Sequence, residues 1–116
     1  MTTWRLRKGS TRPQTFRWKD RSGPVDLTDM LVEARLVGWD GATVELSSAE
    51  GDSIQFWEQV GDTVGWFDVT LTQEQADLLR TEAPGRAYFT ATFPDGIGQI
   101  HADYPLIVSL GGGIVG

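Results

Sequence analysis

Cysteine is absent from the 116 residues. That excludes disulfides and thiolate-held metals and suits assembly in a reducing cytoplasm. Histidine occurs once, as His101. No apolar run approaches the roughly 18 residues needed to span a bilayer as a helix. The basic start Met-Thr-Thr-Trp-Arg-Leu-Arg-Lys is not followed by the apolar stretch of a secretory signal, so no export signal and no membrane partner are expected. No phosphate loop, dinucleotide fingerprint or Ser-His-Asp order is present. Basic residues are scarce after residue 21, where fifteen acids face only Arg35, Arg80 and Arg86.

Charge is therefore uneven along the chain. Residues 1–21 hold seven of the ten Lys and Arg residues against Asp20 alone, a net +6 in a chain whose total is −6. Two explanations stand side by side. Positive strands can pair with acidic ones inside one domain, or a basic edge can meet an acidic surface of a neighbouring copy. A nucleic-acid partner is not expected, because the domain as a whole repels phosphate.

Length and apolar content fit one domain, assigned to residues 1–110, with a Gly-rich tail over 111–116 that is flexible by composition. Within the domain, apolar and polar residues alternate in short runs. Trp4 and Leu6 oppose Arg5 and Arg7; Phe16 and Trp18 oppose Arg17 and Lys19. Met30, Val32, Ala34 and Leu36 share a face, as do Ile54 with Phe56, and Phe67 with Val69 and Leu71. Ala87, Phe89, Ala91 and Phe93 alternate with Tyr88, Thr90 and Thr92. Turns fall between the runs at Ser22-Gly23-Pro24, Asp40-Gly41, Glu50-Gly51-Asp52, Gly61-Asp62 and Pro94-Asp95-Gly96. Residues 98–104 and 106–110 give a last strand or strand pair, kinked at Pro105. This period-two pattern with frequent turns predicts an all-β fold, an immunoglobulin-like antiparallel sandwich of about seven or eight strands.

One segment breaks the alternation. Thr72-Gln73-Glu74-Gln75 fits a capping box, with Thr72 as N-cap and Gln75 three residues on. Ala76, Leu79 and Leu78 supply an apolar stripe, and Pro84-Gly85 ends the segment. A short helix near residues 73–80 is predicted, too short to stand without the sheet.

Five tryptophans are the most unusual compositional feature. Alternation turns Trp18 inward with Phe16. It sets Trp57 and Trp66 against the faces of Phe56 and Phe67, outside the sandwich and across from each other on one hairpin. Outward indoles suit a protein interface, where aromatics are enriched. They also suit sugar stacking, or simply a cross-strand pair that covers its own sheet. Trp57, Trp66, Trp39 and Trp4 are the candidate interface residues, together with Ile114 and Val115 of the tail.

Chemistry-bearing clusters are thin. His101 shares a strand face with Asp103, and two ligands do not make a metal site. Asp26 with Asp29, Glu50 with Asp52 and Glu74 with Asp77 are loose carboxylate pairs. Asp40, Asp52, Asp62 and Asp95 sit where turns need them. Neither a cofactor nor a metal nor an enzymatic activity is expected.

The segment Gly23-Pro24-Val25-Asp26-Leu27-Thr28 runs straight into the alternating strand that follows. Local physics accounts for it: Asp26 and Thr28 can bond nearby backbone N–H groups, and Leu27 can tuck under the sheet edge. The segment also resembles the "D-x-x-G-x-P-x-D-L-T" signature of the immunoglobulin-like N-terminal domain of phage baseplate upper proteins and similar small tail or neck proteins. Asp20, Gly23, Pro24, Asp26, Leu27 and Thr28 occupy those places, with Pro24 directly after Gly23 and so one residue short. A second stretch of that family, "G-x-(F/Y)-x-(V/Y)-x-L" followed by "(T/S)-x-x-(Q/E)-x-x-x-L", is matched by Gly65, Phe67, Val69, Leu71, Thr72, Gln75 and Leu79. The resemblance spans roughly residues 14–110. It implies a structural component of a tailed-phage virion, in the tail, neck, baseplate or capsid periphery, assembled in the host cytoplasm. Partners would be other phage structural proteins and further copies of the chain in a symmetric ring. The family's motifs are structural, and its long receptor-binding extension has no counterpart here. A carbohydrate-binding sandwich is the alternative, with exposed tryptophans as stacking platforms.

Overall fold

A computed structural model describes residues 4–7, 13–38, 41–79 and 84–109. Among these described residues ten strands appear in chain order: β1 Trp4–Arg7, β2 Gln14–Arg17, β3 Lys19–Asp20, β4 Gly23–Pro24, β5 Leu31–Val37, β6 Thr43–Ser47, β7 Ile54–Phe56, β8 Trp66–Val69, β9 Pro84–Thr92 and β10 Gln99–Ser109. A five-stranded sheet in the order β1-β10-β9-β5-β6 faces a three-stranded sheet in the order β2-β8-β7. The two-residue strands β3 and β4 form a small hairpin between β2 and β5. Setting that hairpin aside, the strand order is that of an immunoglobulin-like sandwich. The expected all-antiparallel pattern has one exception: β1 runs parallel to β10, with Trp4 beside Leu106.

The alternation places the core. Val32, Ala34, Leu36, Val44, Leu46, Phe67, Val69, Ala87, Phe89 and Ala91 all point between the sheets and are buried. Phe16 is the hub. Its ring lies 5.1 Å from Phe89, 5.7 Å from Phe67 and 5.6 Å from Tyr104, and Trp4 meets it edge-on at 5.2 Å. Phe16 on β2 and Phe89 on β9 occupy the two strands that a disulfide joins in antibody domains. With no cysteine, ring packing makes the tie between sheets.

Trp4 therefore corrects one expectation. It is only 2% exposed and packs on Phe16 and Phe89, so it is a core residue and not an interface residue. Its place on β1, hydrogen-bonded beside the inward Leu106, turns the indole inside. Trp18 is buried against Phe67, as its alternation indicated. Trp39, Ile114 and Val115 lie outside the described residues, as does the whole 111–116 tail.

Two end effects also depart from the pattern. Phe93 lies one residue past the end of β9 and is partly exposed, because its N–H bonds Gly98 across the β9–β10 turn and its ring leans on Gly98 instead of the core. Leu78 is exposed, since the helix α1, Gln73–Asp77, ends before it. Leu79 N–H bonds the Ala76 carbonyl three residues back, a tightening that drives Leu79 fully into the core. The capping box forms as expected, with Gln75 N–H donating to Thr72 Oγ1 and Thr72 N–H to Gln75 Oε1.

Pro105 does not divide the last strand. β10 runs unbroken, with Pro105 opposite Arg86. The Phe93–Gly98 bond fixes the ladder's phase, so Arg86 and Pro105 form a non-hydrogen-bonded pair. The missing N–H of Pro105 would point away from β9, one residue before pairing with β1 begins at Leu106.

Candidate functional site

The outer face of the smaller sheet is built by three side chains in one row. Register sets Arg17 opposite Trp66, and the Trp57 N–H donates to the Trp66 carbonyl just past the end of β7. The two indoles stack with centroids 5.6 Å apart and planes 28° from parallel. On the other side of Trp66, the Arg17 guanidinium carbon lies 5.4 Å from the ring centroid. Arg17 is itself held, donating through Nε to the Val64 carbonyl at 3.1 Å and through Nη2 to the Asp62 carbonyl at 3.3 Å. A cation over an indole and two carbonyl bonds give a long side chain one position. Trp66 is thus covered on both faces, while Trp57 keeps an outer face open and is 41% exposed.

Gln59 holds the loop that carries this row. Its Oε1 accepts from the Leu27 and Gly65 N–H groups, each at 2.9 Å. Its Nε2 donates to the Trp57 carbonyl at 2.7 Å and the Trp66 carbonyl at 3.2 Å. All four bonds an amide side chain can make are used, and they join the Asp26–Thr28 turn to the 57–65 connection. Gly65 is required beside it: at φ +89° a Cβ would stand 2.7 Å from the Trp18 carbonyl oxygen, whose neighbour Trp18 N–H bonds Gly65 O. Sequence patterning indicated Gly65 and missed Gln59, because a bond between residues 32 apart leaves no local signature.

The Asp26–Thr28 turn forms as the sequence indicated. Asp26 Oδ1 accepts from Thr28 Oγ1 at 2.6 Å and Thr28 N–H at 2.9 Å, which holds its carboxyl below the usual carboxylate range. Leu27 between them is fully buried. Upstream, the tight turn falls on Arg21-Ser22, and Gly23 and Pro24 form the returning strand opposite Asp20 and Lys19. Gly23 contributes the left-handed φ of +113° that this return needs.

Strand directions bring three connections to one end of the sandwich: residues 18–30, 57–65 and 93–98. Four of the six exposed large apolar residues among those described sit there, namely Trp57, Val60, Phe93 and Ile97. Ile97 is 86% exposed on a turn fixed by Asp95, whose Oδ1 accepts from the Ile97 and Gly98 N–H groups. Those two bonds lower the Asp95 pKa.

The larger sheet presents a different outer face, a shallow open depression of about 720 Å³ around Arg35, Tyr88, Thr90, His101 and Asp103. Arg86 and Asp103 pair there through two contacts of 2.7 and 2.8 Å, and Thr90 Oγ1 lies 3.1 Å from His101 Nδ1. His101 and Asp103 do share a face, as alternation required. No group of three or more His, Cys, Asp or Glu side chains among the described residues is placed to hold a metal. No helix among them is long and apolar enough to cross a membrane.

No family model, curated protein or solved structure matches the chain. Among the basic residues of 1–21 whose side chains are described, Arg17, Lys19 and Arg21 do not share one strand. Arg17 lies on the smaller sheet, Lys19 on β3 and Arg21 in the turn after it, and β1 with Arg5 and Arg7 on the far edge of the larger sheet. The Arg86–Asp103 pair is the one ion pair among the described residues, and neither partner comes from residues 1–21.

Proposed function

We propose that this chain is a protein–protein assembly module, a structural component of a tailed-phage virion in the tail, neck, baseplate or capsid periphery. It acts by docking, with no bond-breaking chemistry. Copies associate in a symmetric ring and contact other virion proteins. One observation carries this reading: an indole stack fixed on the sheet surface by Arg17 and Gln59, with the Trp57 face left open beside the apolar loop end. Rigid, half-exposed aromatics are what protein interfaces select, because little conformational entropy is lost when they are covered. Placement in a virion rests on the resemblance carried by Asp20, Gly23, Pro24, Asp26, Leu27 and Thr28 and by the Gly65–Leu79 stretch.

The test is assembly against stability. Sedimentation of the full chain should show concentration-dependent association that Trp57→Ala and Trp66→Ala weaken, with no more loss of melting temperature for Trp57→Ala than one broken aromatic pair brings. Both variants associating normally while melting earlier would overturn the interface. Neighbouring reading frames for portal, capsid or tail-tube proteins support the virion placement, and a metabolic operon counts against it.

Sugar binding is the second reading, favoured by the open face of Trp57. Only one indole face is free in the stack, so the surface offers one ring-sized platform and no extended track. A glycan array without a ligand at high protein concentration would remove it.

A further inference from the structure

We infer that the outer face of the larger sheet is a two-fold interface, and that its occupant is a second copy of this chain. The inference is independent of the indole row, which lies on the opposite sheet. Its basis is the order of side chains on the grid that register defines. Moving across β5, β9 and β10, the outward rows read Leu31, Thr92, Gln99; then Glu33, Thr90, His101; then Arg35, Tyr88, Asp103; then Val37, Arg86, Pro105.

Consider a two-fold axis lying in this face, perpendicular to the strands, between the second and third rows. It exchanges those rows and exchanges the first with the fourth. Glu33 then faces the partner's Arg35, and Arg35 faces the partner's Glu33. His101 faces the partner's Asp103, Leu31 the partner's Val37, and Thr90 the partner's Tyr88. Every charged residue of the two central rows on β5 and β10 meets an opposite charge or a polar ring. An isologous contact requires this kind of self-complementarity. An axis parallel to the strands would instead set Glu45 against the partner's Asp103.

Three further observations agree. Among the described residues, Glu33, Arg35, Glu45 and Tyr88 make no side-chain hydrogen bond or ion pair, although Arg35 stands directly opposite Glu45. Tyr88, 45% exposed, is the aromatic at the centre of the face, the kind of residue enriched in interfaces. Two copies at −6 each repel at long range. This face carries Glu33, Glu45 and Asp103 against Arg35 and Arg86, so contact through it adds little repulsion.

Size is adequate for a dissociable dimer. Four strands at about 4.8 Å spacing and nine residues at about 3.3 Å rise span about 600 Å² per copy. That lies below the ~800 Å² per partner of a standard interface. The resulting dimer exchanges, and long-lived dimers are not expected.

Charge swapping tests the geometry. In sedimentation equilibrium, Arg35→Glu alone and Glu33→Arg alone should each weaken self-association by about tenfold or more, since each sets like charges together twice. An equimolar mixture of the two single variants should recover association as a heterodimer, because the two-fold axis then pairs opposite signs at both places. All positions are exposed, and circular dichroism of each variant checks the fold. Trp57→Ala separates the two surfaces, since it should weaken assembly beyond the dimer and leave the dimer step itself unchanged. The proposal is overturned if the full chain stays monomeric at every concentration. It is equally overturned if either single variant dimerises like the parent, or if the mixture fails to associate.

Discussion

The two outer faces of this sandwich differ in how they are finished. On the smaller sheet the exposed side chains are tied to one another: Arg17 against Trp66, Trp66 against Trp57, Thr15 Oγ1 donating to Asp68 at 2.6 Å, and Gln59 bonded beneath. On the larger sheet the central charged side chains of β5 have no side-chain partner among the described residues, and side-chain contacts are confined to β9 and β10, at Arg86–Asp103, Thr90–His101 and Thr92–Gln99. One face is rigid and aromatic; the other is charged and awaits its counterpart. A rigid aromatic surface loses little entropy on docking and recognises shape. A charged grid gains from a partner only when signs match, and so specifies register.

Both faces ride on the same core, which gives the largest expected effect. Phe16→Ala empties the hub between Trp4, Phe67, Phe89 and Tyr104 and should cost about 3–5 kcal/mol in denaturant unfolding. If the cost stays under about 1 kcal/mol, the ring tie between sheets is not what holds them. The faces themselves should then separate. Gln59→Ala leaves two N–H groups and two carbonyls to find water and should destabilise by about 1–3 kcal/mol. Arg35→Ala on the opposite face should stay within about 0.5 kcal/mol. Equal effects at the two positions would mean that the two faces are equally tied to the fold. Trp57→Ala removes one aromatic pair and should cost about 0.5–1.5 kcal/mol in thermal or chemical melts.

The smallest effect concerns pH. Hydrogen bonds from Thr28 hold the folded-state pKa of Asp26 below the ordinary 3.8, and those from Ile97 and Gly98 do the same for Asp95. A depressed carboxylate contributes stability above its unfolded pKa and loses it as pH falls through the folded one. Acid melts of the full chain should therefore steepen below the ordinary carboxylate range, and Asp26→Asn with Asp95→Asn should flatten that slope. An unchanged slope would mean that neither turn is closed by its carboxylate in solution.

Much of the fold was legible in the chain because burial has period two. Met30 to Leu36 and Phe67 to Leu71 face inward as alternation dictates, and the Thr72–Gln75 box is a purely local device. The Trp57–Trp66 pair was legible for the same reason. What escaped was non-local. The inward turn of Trp4 depends on β1 finding β10, a pairing of residues near opposite ends of the described chain. The role of Gln59 depends on a turn that folds back onto it. The complementarity of Glu33 with Arg35 emerges only when a second copy is considered, because the alternation that turns both outward says nothing of what they meet. Phe93 and Leu78 were misplaced because a pattern does not announce the residue at which its element stops.

The most direct measurement is hydrogen exchange of the full chain, resolved by peptide, in dilute and concentrated solution. The account expects added protection at high concentration over residues 57–66, where the open indole face and its clamped loop are covered by a neighbouring copy. Exchange over that stretch that is identical at both concentrations would contradict it.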